Sequence, residues 1–354
     1  MKHLISKKKT PFPISDYFRS YLVRYGRIHE HGIRYEDLKR YHTAVPLYNE
    51  AGQDTLWSTV FYPSIEQDEI HEQLCQTYAI LTTRGDSSTT SNLFIDRIDV
   101  CNYGNTLPFR IRIVNQINEN FDYFYVKTID ANRIYGLELE HILSPNRINY
   151  FLHKETIIEE HIIGIPASEF LHESMPMTRF DLVRLAKEFV KFNERSFVLL
   201  LGDMHSGNFV IEMNRDFEKW HFHMHPIDFD QQSHHWRKQS YIPECFPQNE
   251  PFLRATRKYL STENMDQYQT EERGLIANRV RVSHGRLDQM TEVMREDLIA
   301  PDDYVRRLRE QLAAHYEDPD FEQCLTMGDL VYTSIHRLLD HKRPPRPLLG
   351  SSWP

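Results

Sequence analysis

The sequence predicts an α+β protein in two lobes, a β-rich lobe followed by a mostly helical one. Three observations carry this: alternating β-branched and aromatic runs over 93–163, a broad apolar helical face from Thr178 to Asn193, and helical spacing again from about Pro251 to Leu339. A chain of 354 residues has room for both bodies at roughly 150 residues per domain. With 40% hydrophobic residues, including 20 Phe and 19 Tyr, each can bury a core without disulfides, and wholesale disorder is excluded.

Composition also narrows the function. The longest apolar runs, such as FVLLL at 197–201, fall far short of the ~20 residues that span a bilayer, so no membrane partner is expected. A formal charge of −9 repels a polyanion, so nucleic acid is not expected either. Cys75, Cys101, Cys245 and Cys324 lie far apart, with no C-x-x-C pair, and read as reduced thiols of a cytoplasmic protein. The basic start MKHLISKKKTPFP runs into Pro11 and Pro13 instead of an apolar stretch, so no signal peptide is expected.

Taken in order, residues 1–91 form an N-terminal extension of unassigned role, with amphipathic runs at Ser15–Tyr25, Tyr35–Tyr41 and Glu66–Thr82. RGDSSTTSN (84–92) has the Gly, Asp, Ser and Asn content of a joint, and its RGD tripeptide reads as linker, not as an adhesion motif. The β-rich lobe spans 92–163. LFIDRIDV, FRIRIVN and FDYFYVKTI read as three strands, NRIYGLELEHIL as a helix closed by Pro145, and INYFLH and TIIEEHII as two strands joined at Lys154-Glu155. The helical lobe spans 164–340: a buried helix, the run FVLLL, a polar loop GDMHSGN, a hairpin of FVIEM and HFHMHPI, and then helices, with Pro301 placed to start one. A Pro-rich tail, 341–354, contains Arg343-Pro-Pro-Arg-Pro347 and reads as a disordered terminus holding the pieces of a polyproline ligand.

The chemistry concentrates in Leu201-Gly-Asp-Met-His-Ser-Gly-Asn208 and, one hairpin later, Pro226-Ile-Asp-Phe-Asp230. Phosphoryl transfer needs positioning and charge neutralisation, hence oxygen ligands for a cation, a carboxylate for the attacking hydroxyl and a cation on the phosphates. The set resembles the protein-kinase-like superfamily in its aminoglycoside phosphotransferase and choline kinase branch, whose catalytic loop reads H-G-D-x-H-x-x-N and whose metal motif reads I-D-F/W-D/E. The resemblance covers Leu93 to Asp230 in element order and is sharp in these two motifs. It implies a bilobal protein-kinase-like fold with a five-stranded antiparallel N-lobe, one N-lobe helix and a mostly helical C-lobe, and an ATP- and Mg²⁺-dependent phosphotransferase acting on a hydroxyl. Under it, Asp203 is the base and His205 the loop histidine, and Asn208 and Asp228 are the metal ligands. Lys127 holds the nucleotide phosphates, Glu138 or Glu140 pairs with that lysine, and the segment Glu159-Glu160-His161-Ile162 forms the hinge whose backbone groups bind adenine, with Glu160, His161 and Ile162 as its nucleotide contacts.

The chain departs from the pattern at three places. Leu201 stands where the family pattern begins the catalytic loop with a histidine, Gly104 is the one glycine between Asn102 and Thr106, and no G-D…D-L-A stretch follows Asp230. Acceptor identity does not carry over. Two other readings compete: a pseudokinase that binds nucleotide or a partner without turnover, and a metal-dependent hydrolase built on His221, His223 and His225, which share one strand face. A hairpin with a polar outer face explains that triplet without a metal. The stretch His234-His-Trp-Arg-Lys238 reads as a solvated loop or a contact for an anionic substrate.

Overall fold

The computed structural model describes residues 9–339 apart from 84, 86, 103–105, 171–176 and 218. The tail, Gly104, and Arg84 and Asp86 of the RGD tripeptide lie outside the described residues. The chain divides into two compact units. One takes residues 8–129 and 148–161, the other residues 130–147 and the chain from 162 onward.

The first unit opens with α1 (Asp16–Arg24), whose first turn is capped by Ser15 Oγ accepting from the Phe18 amide, and a short α2 (Tyr35–Leu38). A hairpin of β1 (Thr43–Tyr48) and β2 (Asp54–Phe61) leads into α3 (Ser64–Thr83). The five expected strands follow as β3 (Leu93–Cys101), β4 (Phe109–Asn115), β5 (Phe121–Thr128), β6 (Tyr150–His153) and β7 (Thr156–Glu160). All seven join one antiparallel sheet in the order β1-β2-β3-β4-β5-β7-β6. The expected five-stranded sheet is therefore corrected to seven, and the extension of residues 1–91 supplies two of its strands. The first of these escaped the sequence pattern for a physical reason. β1 is the sheet's edge and almost wholly exposed, so it shows no inward-outward alternation, and Pro46 is tolerated there because an edge strand can spare a donor. Ile70 and Leu74 of α3 pack with Ile95, Ile111, Phe124 and Ile158 of the sheet in one buried core.

The second unit begins with α4 (Ala131–Leu143), the helix expected inside the β-rich lobe. Every residue of α4 except His141 is buried, and the helix packs against α8 (Thr262–Glu296). Its long-range anchors explain the reassignment. Arg286 of α8 donates to Glu138 Oε2 at 2.6 Å, Tyr135 Oη to Asp297 at 2.7 Å, and Asn132 Nδ2 to the Ile299 carbonyl at 3.0 Å.

After the short β8 (Ile165–Pro166) and α5 (Ala167–Phe170) comes α6 (Arg179–Val198), started by a reciprocal capping box between Thr178 and Asp181. β9 (Phe209–Asp216) and β10 (Lys219–Pro226) form the expected hairpin, and β8 adds a third antiparallel strand. The remaining helices are α7 (Glu250–Tyr259), α9 (Asp302–Tyr316), with Pro301 at its N-cap, and α10 (Met327–His336). Buried ion pairs fasten α6 to α8: Arg195 to Glu272 at 2.8 Å and Arg273 to Glu194 at 2.6 Å.

Candidate active site

The polar loop 201–208 is held in place by α6 before it and the β9–β10 hairpin after it. Past α6 the chain turns sharply, and Leu200 (φ 51°) and Asp203 (φ 63°) both adopt the left-handed conformation. Such values cost a non-glycine residue of order 1 kcal/mol or more and persist only where the surroundings impose them. Here the constraints are visible. Leu201 bridges to Gln232, Ser233 N–H donates to the Leu200 carbonyl at 2.9 Å, and Asp203 N–H donates to Ser240 O at 2.9 Å. Gly202 is required by close approach, since a Cβ there would lie 2.8 Å from the Gln231 carbonyl oxygen. Leu201, in place of the histidine, is a buried apolar support for the turn.

The hairpin register then brings the two expected metal ligands together. Phe209 pairs with Pro226, so Asn208 immediately precedes the ladder on one strand and Asp228 follows it on the other, and Ile227 N–H donates to the Asn208 carbonyl at 3.0 Å. Asn208 Nδ2 donates to the Asp203 carbonyl at 2.9 Å, which ties the amide nitrogen to the loop and presents the amide oxygen as an acceptor. His205 Nδ1 accepts from Gly207 N–H at 3.1 Å, and the ring lies edge-on to Phe246, so this histidine orders the loop.

The electrostatics follow from this crowding. Burial, then the carboxylates of Asp228 and Asp230, push the Asp203 carboxyl up to about 7. Burial also lowers the His205 imidazole, against the pull of Asp228. A fourth charge joins from α4: Arg133 Nη2 contacts Asp230 and lies 3.4 Å from Asp228 Oδ1. Arg133 and Asp230 are functional candidates that the sequence reading left unassigned. Asp230 stood in the I-D-F-D motif, whereas nothing in NRIYG singles out Arg133.

The donors fit Mg²⁺ in kind, because they are a carboxylate and an amide oxygen with no thiolate or imidazole among them. Among the described residues no three Asp, Glu, His or Cys side chains are arranged to hold a metal by themselves. Mg²⁺ is commonly held by one or two carboxylates together with substrate phosphates, and two protein oxygens suit that partial role.

The expected nucleotide-binding residues fall out differently. Lys127 is buried in the first unit and donates to Glu159 Oε2 at 2.6 Å, a partner on the neighbouring strand. Glu138 accepts from Arg286 and Glu140 from Asn146 Nδ2 at 3.0 Å, both within the second unit. Within its own unit, Lys127 is paired with Glu159. In the hinge segment, Glu160 accepts from Asn149 Nδ2 at 2.8 Å and burial raises its carboxyl. His161 Nδ1 lies 3.2 Å from Tyr125 Oη, and burial lowers its imidazole. The chain passes from the first unit to the second between His161 and Ile162.

The histidine triplet is not gathered into a metal centre. His221 and His223 are exposed on β10, and His225 Nε2 contacts Glu212 Oε2 across the hairpin at 2.8 Å. In the basic stretch, Trp236 lies beneath Arg307 at 3.2 Å and near Arg237 at 4.5 Å, so the ring is engaged by cations of its own unit. No protein-family model matches the chain, and no curated protein matches it.

Proposed function

We propose that the protein is a phosphotransferase of bilobal kinase-like architecture that moves a phosphoryl group from ATP to a hydroxyl of a small-molecule acceptor. The observation that supports this best is the β9–β10 hairpin, which joins Asn208 to Asp228 while one short loop ties Asp203 to Asn208. Asn208 and Asp228 would hold Mg²⁺ by their side-chain oxygens. The ion, when bound, neutralises charge on the phosphates of the nucleotide. Asp203 orients the acceptor hydroxyl and takes its proton. Burial raises this carboxyl above the ordinary range and so makes it a better proton acceptor. Its strained backbone suits a residue held in place for chemistry.

Lys127, Glu160, His161 and Ile162 remain the proposed nucleotide contacts, and one observation favours a second reading. Leu201, standing where the family pattern has a histidine, supports a nucleotide binder without turnover, the pseudokinase alternative. Parallel incubation with γ-labelled and α-labelled ATP separates the readings. Transfer of γ-label to an acceptor, or hydrolysis dependent on Asp203, is the expected result. Transfer of α-label would make the protein a nucleotidyl transferase, and binding without release of either label would leave the pseudokinase reading.

A further inference from the structure

On this reading of the acidic loop, we infer that Arg133 is the positioning residue for Asp228: anchored by Asp230, it holds the metal-binding carboxylate in place from α4. Arg133 is 2% exposed and Asp230 6%, whereas Asp228 is 37% exposed. The inner pair is therefore enclosed, and Asp228 is the member that a ligand reaches. Its Oδ1 takes both Arg133 Nη2, at 3.4 Å, and the backbone N–H of Asp230, at 3.1 Å, so one oxygen is fixed from two directions.

The helix that carries Arg133 grips this segment at successive points. Asn132 Nδ2 donates to the Gln232 carbonyl at 2.7 Å, Arg133 spans Asp228 and Asp230, and Gly136 packs so closely on Phe229 that a Cβ there would lie 2.9 Å from the ring. Residues 132, 133 and 136 lie on one side of α4, so the register of a single helix sets the position of residues 228–232. The charges point the same way. Asp203, Asp228 and Asp230 carry three carboxyls, and Arg133 cancels the innermost, leaving a site whose remaining negative charge a divalent cation can offset. Both carboxylates are met by the one nitrogen Nη2, and an arginine fits because its delocalised guanidinium stays charged when enclosed, where a lysine ammonium gives up its proton more readily.

The test uses Mn²⁺ with a non-hydrolysable ATP analogue as the probe, because the two protein oxygens hold the cation together with phosphates; it is titrated into the full-length protein and followed by electron paramagnetic resonance. Arg133→Met/Asp230→Asn removes the pair without changing net charge. It should weaken Mn²⁺ binding about tenfold to a hundredfold, the range for losing a partner that orients a metal ligand. Arg133→Lys retains the buried positive charge beside Asp230, which preserves the fold, and should show a smaller loss in the same direction. Wild-type Mn²⁺ affinity in either folded variant would overturn the inference, as would tighter binding in Arg133→Lys. Asp228→Ala is run beside them. If it binds Mn²⁺ like the wild type, the metal assignment and the functional reading fail together. If it loses Mn²⁺ while the Arg133 variants do not, only the role of Arg133 fails.

Discussion

Lys127 tests how far a strand lysine is structural before it is functional. Its side chain is 8% exposed, that of Glu159 is 6% exposed, and the two are 2.6 Å apart. Glu159 stands opposite Tyr125 in the β5–β7 ladder, so Lys127, two residues along, reaches it diagonally on the same sheet face. Taking the ammonium away by Lys127→Met exposes a buried carboxylate to an apolar surrounding, a change worth about 3–5 kcal/mol of destabilisation. Removing both charges in Lys127→Met/Glu159→Gln should recover most of that loss, because an uncharged pair of similar volume is often no less stable than the buried ion pair. The assay is hydrogen exchange at the β5 and β7 amides, which reports the stability of this unit directly. A single substitution costing under about 1 kcal/mol, the scale of a solvated surface pair, would refute the reasoning. The folded double variant then serves the functional question: weaker MgATP binding assigns Lys127 to the nucleotide as well, and unchanged binding confines it to the sheet.

Three further outcomes are expected. Burial pushes the Glu244 carboxyl up to about 7, with Arg257 opposing, so the folded protein holds this proton more tightly than the unfolded chain does. Stability associated with Glu244 is thus present below its ordinary range and lost as pH rises toward 7; Glu244→Gln should gain up to about 3 kcal/mol on the wild type between pH 5 and pH 8 in melting experiments, and a pH-independent difference would contradict this. Gly328 of α10 packs on α8 so tightly that a Cβ would lie 2.3 Å from the Met294 carbonyl oxygen. Gly328→Ala, which normally stabilises a helix, should instead lower stability by about 3 kcal/mol in denaturant unfolding, and a stabilised variant would refute the close approach. Asp203→Asn should reduce phosphoryl transfer by about a hundredfold or more, the scale for a positioned general base, measured as label transferred per unit time.

Much of the local structure was legible because each element writes its own period. β3 to β7, α4, α6 and the β9–β10 hairpin all lie within a few residues of the expected positions, and so does the turn at Lys154, where φ is 51°. What the sequence hid were relations between distant residues. Pro46 and the exposed face of β1 masked an edge hairpin. α4 sits in sequence between two strands of the sheet, yet its ion-pair partner, Arg286, is 148 residues away. The site divides the same way. Asp203, Asn208 and Asp228 were marked by the resemblance of their two motifs to a known family, and a loop and a hairpin set them close over short range. Arg133 could not, because its contacts with Asp228 and Asp230 span 95 and 97 residues and no motif marks it. The partner of Lys127 needed the β5–β7 register, which fixes which carboxylate falls diagonally across from it.

The most direct test of the acidic loop as a metal–nucleotide site is a calorimetric titration of MgATP into the wild type, Asp228→Ala and Asp203→Asn. If Asp228 holds the metal and Asp203 addresses the acceptor, Asp228→Ala loses MgATP binding while Asp203→Asn stays within a few-fold of the wild type. Unchanged affinity in a folded Asp228→Ala protein, or equal loss in both variants, would contradict the account.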